Sequence, residues 1–410
     1  MPRTPILDFV YFEAGGGHRS AALALQSVIA SSGYDWHVRL VNLQEVLDSL
    51  DVFRKLTGIR LQDLYNLLLA KGWTFGSAQL LRVMHGVIRL YHPAQVRLLS
   101  TFWEREQPDM VVSLVPNFNR ALFQSLRQTL PEAPLVTILT DLADYPPHFW
   151  IERQPQYFIC GTQHAAEQAA EMGHASSRVF RTSGMILRPD FYETRHCDCA
   201  PERVRLGLQS GLPAGLVLFG GEGSRAMYSI AERLGNSSMD LQLIMICGRN
   251  AELRRRLERL KTRNKIVVEG FTKAIPYYMR VADFFIGKAG PGSISEAIQM
   301  GLPVVVERNA WTLPQERYNT EWILEMGVGV VLPNFRGIES AVRDLLASGR
   351  LHTMKAKIAA LENRAVFEIP PILKKILDEA RAKSGSPATH AWGNAGSAHD
   401  ELADKDSSRS

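Results

Sequence analysis

The chain has 410 residues, a formal net charge of +5, 46% hydrophobic and 22% charged residues. That length points to two domains of roughly 150–200 residues rather than one core. The mild positive charge permits an anionic partner such as a nucleotide, a phosphate or a lipid surface, and no nucleic-acid partner is expected.

Four cysteines in so long a chain do not make a disulfide framework. Cys197-Asp198-Cys199 has no second Cys/His pair to complete a zinc site, so reduced, cytosolic thiols are expected. The N-terminus has too short an apolar stretch for a signal peptide, and no run of about 18 apolar residues occurs. Any membrane contact is therefore expected to be peripheral.

In chain order, apolar runs at 6–12, 36–41, 109–115, 134–140, 156–160 and 178–182 read as strands. Between them, 18–31 and 119–129 carry apolar residues at helical spacing. Residues 186–200 break this rhythm and read as a linker. A second set follows, with strands at 215–220, 241–247, 265–269, 282–286, 303–306 and 328–332. Its helices fall near 224–235, 250–261, 292–300 and 315–326. Two α/β units with parallel sheets follow from the alternation. The boundaries expected are 1–195 for the N-terminal domain, 196–382 for the C-terminal domain, and 383–410 for a disordered tail rich in Ser, Ala, Gly and Asp.

Segment 53–105 departs from the alternation. It holds eight Lys/Arg against two acids, with seven aromatics interleaved. Basic amphipathic helices with Trp, Phe and Leu suit an anionic membrane interface; the alternative is an ordinary helical insertion packed on the first domain.

Four stretches could carry chemistry. Gly15-Gly16-Gly17-His18 lies between the first strand and first helix. Glycines there admit a ligand to the backbone, and a neutral imidazole can take a proton from a hydroxyl. Gly220-Gly221-Glu222-Gly223 repeats the layout in the second unit as a phosphate cradle, with Ser224 adding a hydroxyl. In "GPGSISEA" (290–297), Ser293 and Glu296 read as a capping box; alternatively, the helix start receives a diphosphate and Glu296 a ribose. In "LPQERYN" (313–319), Gln315, Glu316 and Asn319 are sugar-reading side chains or a solvated helical turn.

Together with "TDLADYPPHFWI" (140–151), these stretches resemble the UDP-sugar lipid glycosyltransferases of the monogalactosyldiacylglycerol synthase and processive diacylglycerol glucosyltransferase group, distant relatives of the peptidoglycan N-acetylglucosaminyltransferase. The resemblance implies the GT-B fold: two Rossmann-like, doubly wound α/β domains facing across a cleft. It implies His18 as base at the acceptor cleft, and Gly16 and Gly17 bordering the diphosphate. It places Gly221 and Ser224 on the phosphates and Phe271 along the uracil. Gly292 and Ser293 close on the diphosphate, Glu296 meets the ribose, Gln315 and Glu316 read the sugar, and Asn319 supports them. Segment 53–105 falls where the group keeps its lipid-docking elements. Two departures, Arg225 and Leu313-Pro314, sit beside the donor site and leave the sugar open.

The function expected is an inverting transfer of a hexose, galactose or glucose, from a UDP-sugar to a membrane lipid hydroxyl such as diacylglycerol, giving a β-glycolipid. Asp141 is expected to assist His18. The single Asp-x-Asp is Asp404-Lys405-Asp406, so no metal is expected on the diphosphate, and the UDP-sugar is a substrate rather than a resident cofactor. The expected location is the cytoplasmic face of the cell membrane. Rivals are N-acetylglucosaminyl transfer to a polyprenyl-linked lipid, a UDP-sugar epimerase and a non-catalytic sugar-nucleotide or lipid-binding protein.

Overall fold

The computed structural model describes residues 3–13, 17–48, 90–193, 199–347 and 349–385. Its first sheet is built from β1 (Ile6–Tyr11), β2 (His37–Asn42), β3 (Met110–Ser113), β4 (Leu135–Ile138), β5 (Tyr157–Cys160) and β6 (Val179–Arg181). Its strand order is β2-β1-β3-β4-β5-β6. The second sheet holds β7 (Ala214–Leu218), β8 (Gln242–Ile246), β9 (Lys265–Glu269), β10 (Phe284–Gly287), β11 (Val304–Glu307) and β12 (Gly329–Leu332), ordered β12-β11-β10-β7-β8-β9. Every strand pair is parallel.

The central strands are buried along their whole length, as "MVVS" and "AGLVL" show. Helices cover both faces of a parallel sheet, so its strands become near-continuous apolar runs rather than alternating ones. This is the physical basis of the doubly wound class. In each sheet the strand order reverses once: between β1 and β3 in the first, and between β7 and β10 in the second. Ligand crevices form outside the carboxyl ends of strands at such points.

Three expectations need correction. First, the C-terminal unit does not keep everything up to residue 382. The helix Ala365–Gly385 sends Val366, Ile369, Leu373, Ile376 and Leu377 into the core of the first sheet, beside Leu25, Val28 and Ile29 of the helix Gly17–Ser31. Residues 383–385, expected in the tail, continue this helix; 386–410, with the Asp-x-Asp, lie outside the described residues.

Second, 186–200 is more than a linker. Leu187 and Phe191 are buried in the core of the second sheet. Tyr192 packs against both cores.

Third, the end of the basic aromatic segment faces protein. In the helix His92–Glu106, Val96, Leu99 and Trp103 are buried in the core of the first unit. The Trp103 indole N–H donates to Ser125 Oγ at 2.9 Å. Burial of apolar area with the polar tip satisfied explains this orientation better than a lipid interface does. Residues 53–89 of that stretch lie outside the described residues. Among the described residues no helix is long and apolar enough to cross a membrane, and Cys160 and Cys247 are buried free thiols.

Candidate active site

On the N-terminal side, β1 runs into the glycine loop. Gly16 falls outside the described residues. Gly17 opens the first helix, and a Cβ there would meet nothing within 4 Å. His18 sits in that first turn, partly accessible to solvent. Its Nδ1 lies 3.0 Å from Thr140 Oγ1, just past the end of β4. The ring also donates toward the carbonyl of Leu114, just past β3. Burial lowers the imidazole from 6.5 to about 4, the Leu114 carbonyl opposing it, so the ring is neutral at physiological pH.

Asp141 follows Thr140. Its Oδ2 accepts from the Trp150 indole N–H at 2.9 Å, and the Trp150 ring stands 5.9 Å from that of His18. The expected Asp141–His18 pairing is thus replaced: Thr140 holds the imidazole, and Asp141 is held by Trp150. Burial is the main cause that lifts the Asp141 carboxyl to about 7. The Trp150 hydrogen bond opposes it, Glu316 raises it further, Lys288 lowers it, and Asp144 adds to the rise. Glu316 and Lys288 belong to the second unit, so charges from both units act on Asp141.

Asp144 fixes the loop that carries Trp150. Its carboxylate accepts from the backbone N–H of Trp150 at 2.6 Å and of His148 at 2.9 Å.

On the C-terminal side, the loop after β7 carries Gly220 and Gly223 with φ of 75° and 63°. A Cβ at Gly223 would approach the Cys247 carbonyl oxygen to 2.8 Å, which explains a glycine there in packing terms. Gly221 is exposed. Its carbonyl accepts from Arg249 N–H at 2.7 Å. Arg249 bonds Glu222 at 2.9 Å and lies over the Phe271 ring at 4.6 Å. Phe271 is 54% exposed. The ring is thus covered on one side by Arg249 and otherwise left in water beside the glycine loop. Ser224 Oγ accepts from the backbone N–H of Ala226 at 3.3 Å, at the start of the helix Ala226–Gly235.

The helix Pro291–Gln299 starts earlier than a Ser293 cap requires. Gly290 is the N-cap, Pro291 occupies the first turn, and no side chain caps it. Proline suits that position because its missing N–H has no partner there anyway. The capping-box reading of Ser293 and Glu296 is therefore overturned. The N–H groups of Gly292 and Ser293 lie in the uncapped first turn, where a helix favours an anion. Glu296 is half-buried, and burial raises it to about 7, with Arg188 opposing and Asp190 reinforcing. It faces the crossing segment around 188–190.

After β11, Gln315 and Glu316 lie on a 3-10 turn, Pro314–Glu316. Glu316 Oε1 accepts from Lys288 Nζ at 3.2 Å. Asn319 is fully buried, and its Nδ2 donates to the Ala289 carbonyl at 2.8 Å. It reads no sugar directly; it ties the Gln315–Glu316 turn to the Lys288–Gly290 loop. Thr140, Trp150 and Lys288 escaped the sequence reading, although all three stand within or beside the stretches that drew attention. Among the described residues no group of three His, Cys, Asp or Glu is gathered to hold a metal ion.

His18, Thr140, Gly220–Ser224, Arg249, Phe271, Lys288 and Gln315–Glu316 all follow the carboxyl ends of strands. Residues 216–312 match the glycosyltransferase family 28 C-terminal domain. The chain is 29% identical over 356 residues to the chloroplastic monogalactosyldiacylglycerol synthase of Spinacia oleracea, covering 80% of this chain and 64% of that one. It is 28% identical over 392 residues to monogalactosyldiacylglycerol synthase 1 of Arabidopsis thaliana, covering 87% and 68%. The chain thus spans about two thirds of the length of these relatives. Among solved structures, Acinetobacter baumannii MurG aligns with a TM-score of 0.58 at 12% identity, over 91% of this chain and all of that one. The MnaA–UDP complex of S. aureus aligns at 0.58 and 15%, over 92% and 97%. With two facing parallel sheets and these relatives, the chain has the GT-B fold, carries a match to the glycosyltransferase family 28 C-terminal domain and is related to the monogalactosyldiacylglycerol synthases.

Proposed function

We propose that the chain transfers a hexose, galactose or glucose, from a UDP-sugar to the hydroxyl of a membrane lipid, diacylglycerol being the first candidate, with inversion to a β-glycolipid. The observation that carries this reading is that Thr140-held His18 in one unit and the Lys288–Glu316 pair in the other each stand at a strand-end crevice, with the Lys288 and Glu316 charges acting on Asp141. Relatives named for monogalactosyldiacylglycerol synthesis support the lipid acceptor, and a UDP-bound structure of the same fold supports the donor.

In the mechanism proposed, Phe271 carries the uracil and the loops at Gly17, Gly221–Ser224 and Gly292–Ser293 receive the diphosphate. Gln315 and Glu316 hold the sugar hydroxyls, and Glu296 serves the ribose. The acceptor oxygen attacks the anomeric carbon as the bond to the phosphate oxygen breaks. Its proton goes to Asp141. Asp141 takes it at neutral pH, because a carboxyl titrating near 7 matches the working pH and an imidazole near 4 is the weaker base. His18, neutral and fixed by Thr140, orients the hydroxyl. Membrane contact is peripheral in this reading, at the inner face of the cell membrane.

The fold also aligns with a UDP-GlcNAc 2-epimerase of Neisseria meningitidis at a TM-score of 0.58. One assay separates the readings. UDP-galactose, UDP-glucose and UDP-N-acetylglucosamine are each incubated with diacylglycerol vesicles, with polyprenyl phosphate vesicles, and alone, with products read by mass spectrometry. A hexosyl-diacylglycerol is expected. An epimerised sugar nucleotide formed without lipid overturns the transferase reading, and a polyprenyl-linked N-acetylglucosamine moves it to the other acceptor.

A further inference from the structure

Lys288 follows β10 directly, and its side chain lies among the loops after β7, β10 and β11. Glu316 Oε1 holds Nζ at 3.2 Å. A Cβ added at Gly290 would lie 3.2 Å from Lys288 Cε and 3.6 Å from both Nζ and Glu316 Oε1. A Cβ added at Gly220, on the opposite glycine loop, would lie 3.9 Å from Cε. The side chain is about half exposed, at 46%, while that of Glu316 is 11% exposed. Asp141 feels both charges from across the cleft. A compact cation thus stands between two glycine loops that open on helix starts, with only hydrogen as side chain on either side of it.

We propose that Lys288 is the cation that meets the diphosphate of the donor and offsets the charge released on it during transfer. This rests on the donor site proposed above. In the step, the acceptor oxygen bonds to the anomeric carbon and the bond from that carbon to the β-phosphate oxygen breaks. The electron pair leaves with UDP, and the hydroxyl proton goes to Asp141. UDP thereby gains one negative charge, and an ammonium already in place stabilises it without reorganisation. Lys288 also links the two halves of the donor: the carboxylate that steadies it, Glu316, is the one proposed for the sugar hydroxyls. A lysine suits the role as a point charge that can follow the phosphate as it departs.

The test compares UDP with uridine, which lacks the phosphates, by calorimetry on the full chain. For Lys288→Met, UDP affinity is expected to fall by about 10–100-fold, the range of a charge-assisted hydrogen bond, with uridine affinity unchanged. Lys288→Arg is expected to restore part of the loss. In turnover, the loss in kcat is expected to exceed the loss in UDP affinity. The double variant Lys288→Met, Glu316→Gln leaves no unpaired buried charge, so the same UDP-against-uridine contrast there excludes misfolding as the cause. Equal losses for UDP and uridine, or no loss for either, overturn the proposal. If the unaltered chain binds neither ligand, the donor site itself is wrong, a different failure that the unaltered protein reveals first.

Discussion

Asp141 is where pH acts most directly on this site. In the folded protein its carboxyl keeps the proton up to about 7, against 3.8 in an exposed chain. The folded state binds the extra proton between those values, so stability falls as pH rises through that window. Asp141→Asn removes this penalty while still accepting from Trp150. Its melting temperature is expected to exceed that of the parent at about pH 8 and to match it at about pH 4, by scanning calorimetry. Its transfer rate is expected to drop by about 10²–10⁴-fold, the usual weight of a general base. A variant both unstabilised at high pH and fully active would remove Asp141 from the mechanism. His18 shifts the opposite way. Its ring is expected to stay neutral down to about pH 5 by imidazole NMR, and protonation near the ordinary 6.5 would contradict the burial seen. His18 was legible because three glycines before a histidine at a strand-to-helix passage leave few structural uses. Thr140 and Trp150 were not, because their roles arise from what the fold sets beside them. Ser293 was misread for a local reason: Pro291 starts the helix sooner than the Ser-x-x-Glu spacing suggested.

At the scale of elements, strands and helices were legible because period and burial agree. "AGLVL" is buried throughout, and the helix Asn119–Thr129 buries Ala121, Leu122, Ser125 and Leu126 on one face. Where an element packs is another matter. In the helix Ala365–Gly385, apolar residues at 366, 369, 373, 376 and 377 show which face is buried, but spacing does not say against which sheet. The structure answers that it is the first. Leu373→Ala is therefore expected to cost about 2–5 kcal/mol and to destabilise the N-terminal unit. Hydrogen exchange checks this: protection should fall in β1 and the helix Gly17–Ser31 and hold in β7 and β8. Loss confined to the second sheet would refute it. The basic stretch 53–105 shows the same limit. Charge and aromatic content suggested a lipid surface; in the described end of the stretch, Trp103 lies in the core instead.

At the scale of the molecule, contacts at the crossings and beside the cleft join the units. The crossings run side by side, with Arg364 N–H donating to Ser183 Oγ at 2.7 Å and Ser183 N–H to Glu368 at 2.8 Å. Gly184 is pressed there against the Asn363 amide, which a Cβ would meet at 2.6 Å. Beside the cleft, His164 of the helix Gln163–Glu171 stacks on Tyr318 of the helix Arg317–Met326, with centroids 4.4 Å apart and planes at 20°. Tyr318 lies two residues past Glu316, so this stack links the sugar-reading turn to the opposite unit. Aromatic pairs contribute about 0.5–1.5 kcal/mol beyond burial, enough to bias an open–closed balance. Tyr318→Phe is expected to match the parent, and Tyr318→Ala to give a larger radius of gyration by small-angle scattering. Equal radii for both would show that the stack does not hold the cleft. Neither contact was legible in the sequence, since each joins residues more than 150 positions apart in the chain.

The return of Ala365–Gly385 to the first sheet has a consequence for biosynthesis. Chains emerge from the ribosome N-terminus first, and domains generally fold as units in that order. Here the unit begun first lacks its closing helix until the second has been made. Its apolar strip of Leu25, Val28 and Ile29 stays open to the nascent chain's surroundings through that interval. The second sheet, contained within a single stretch of sequence, can complete its core earlier, so the later-made half is positioned to mature before the earlier one.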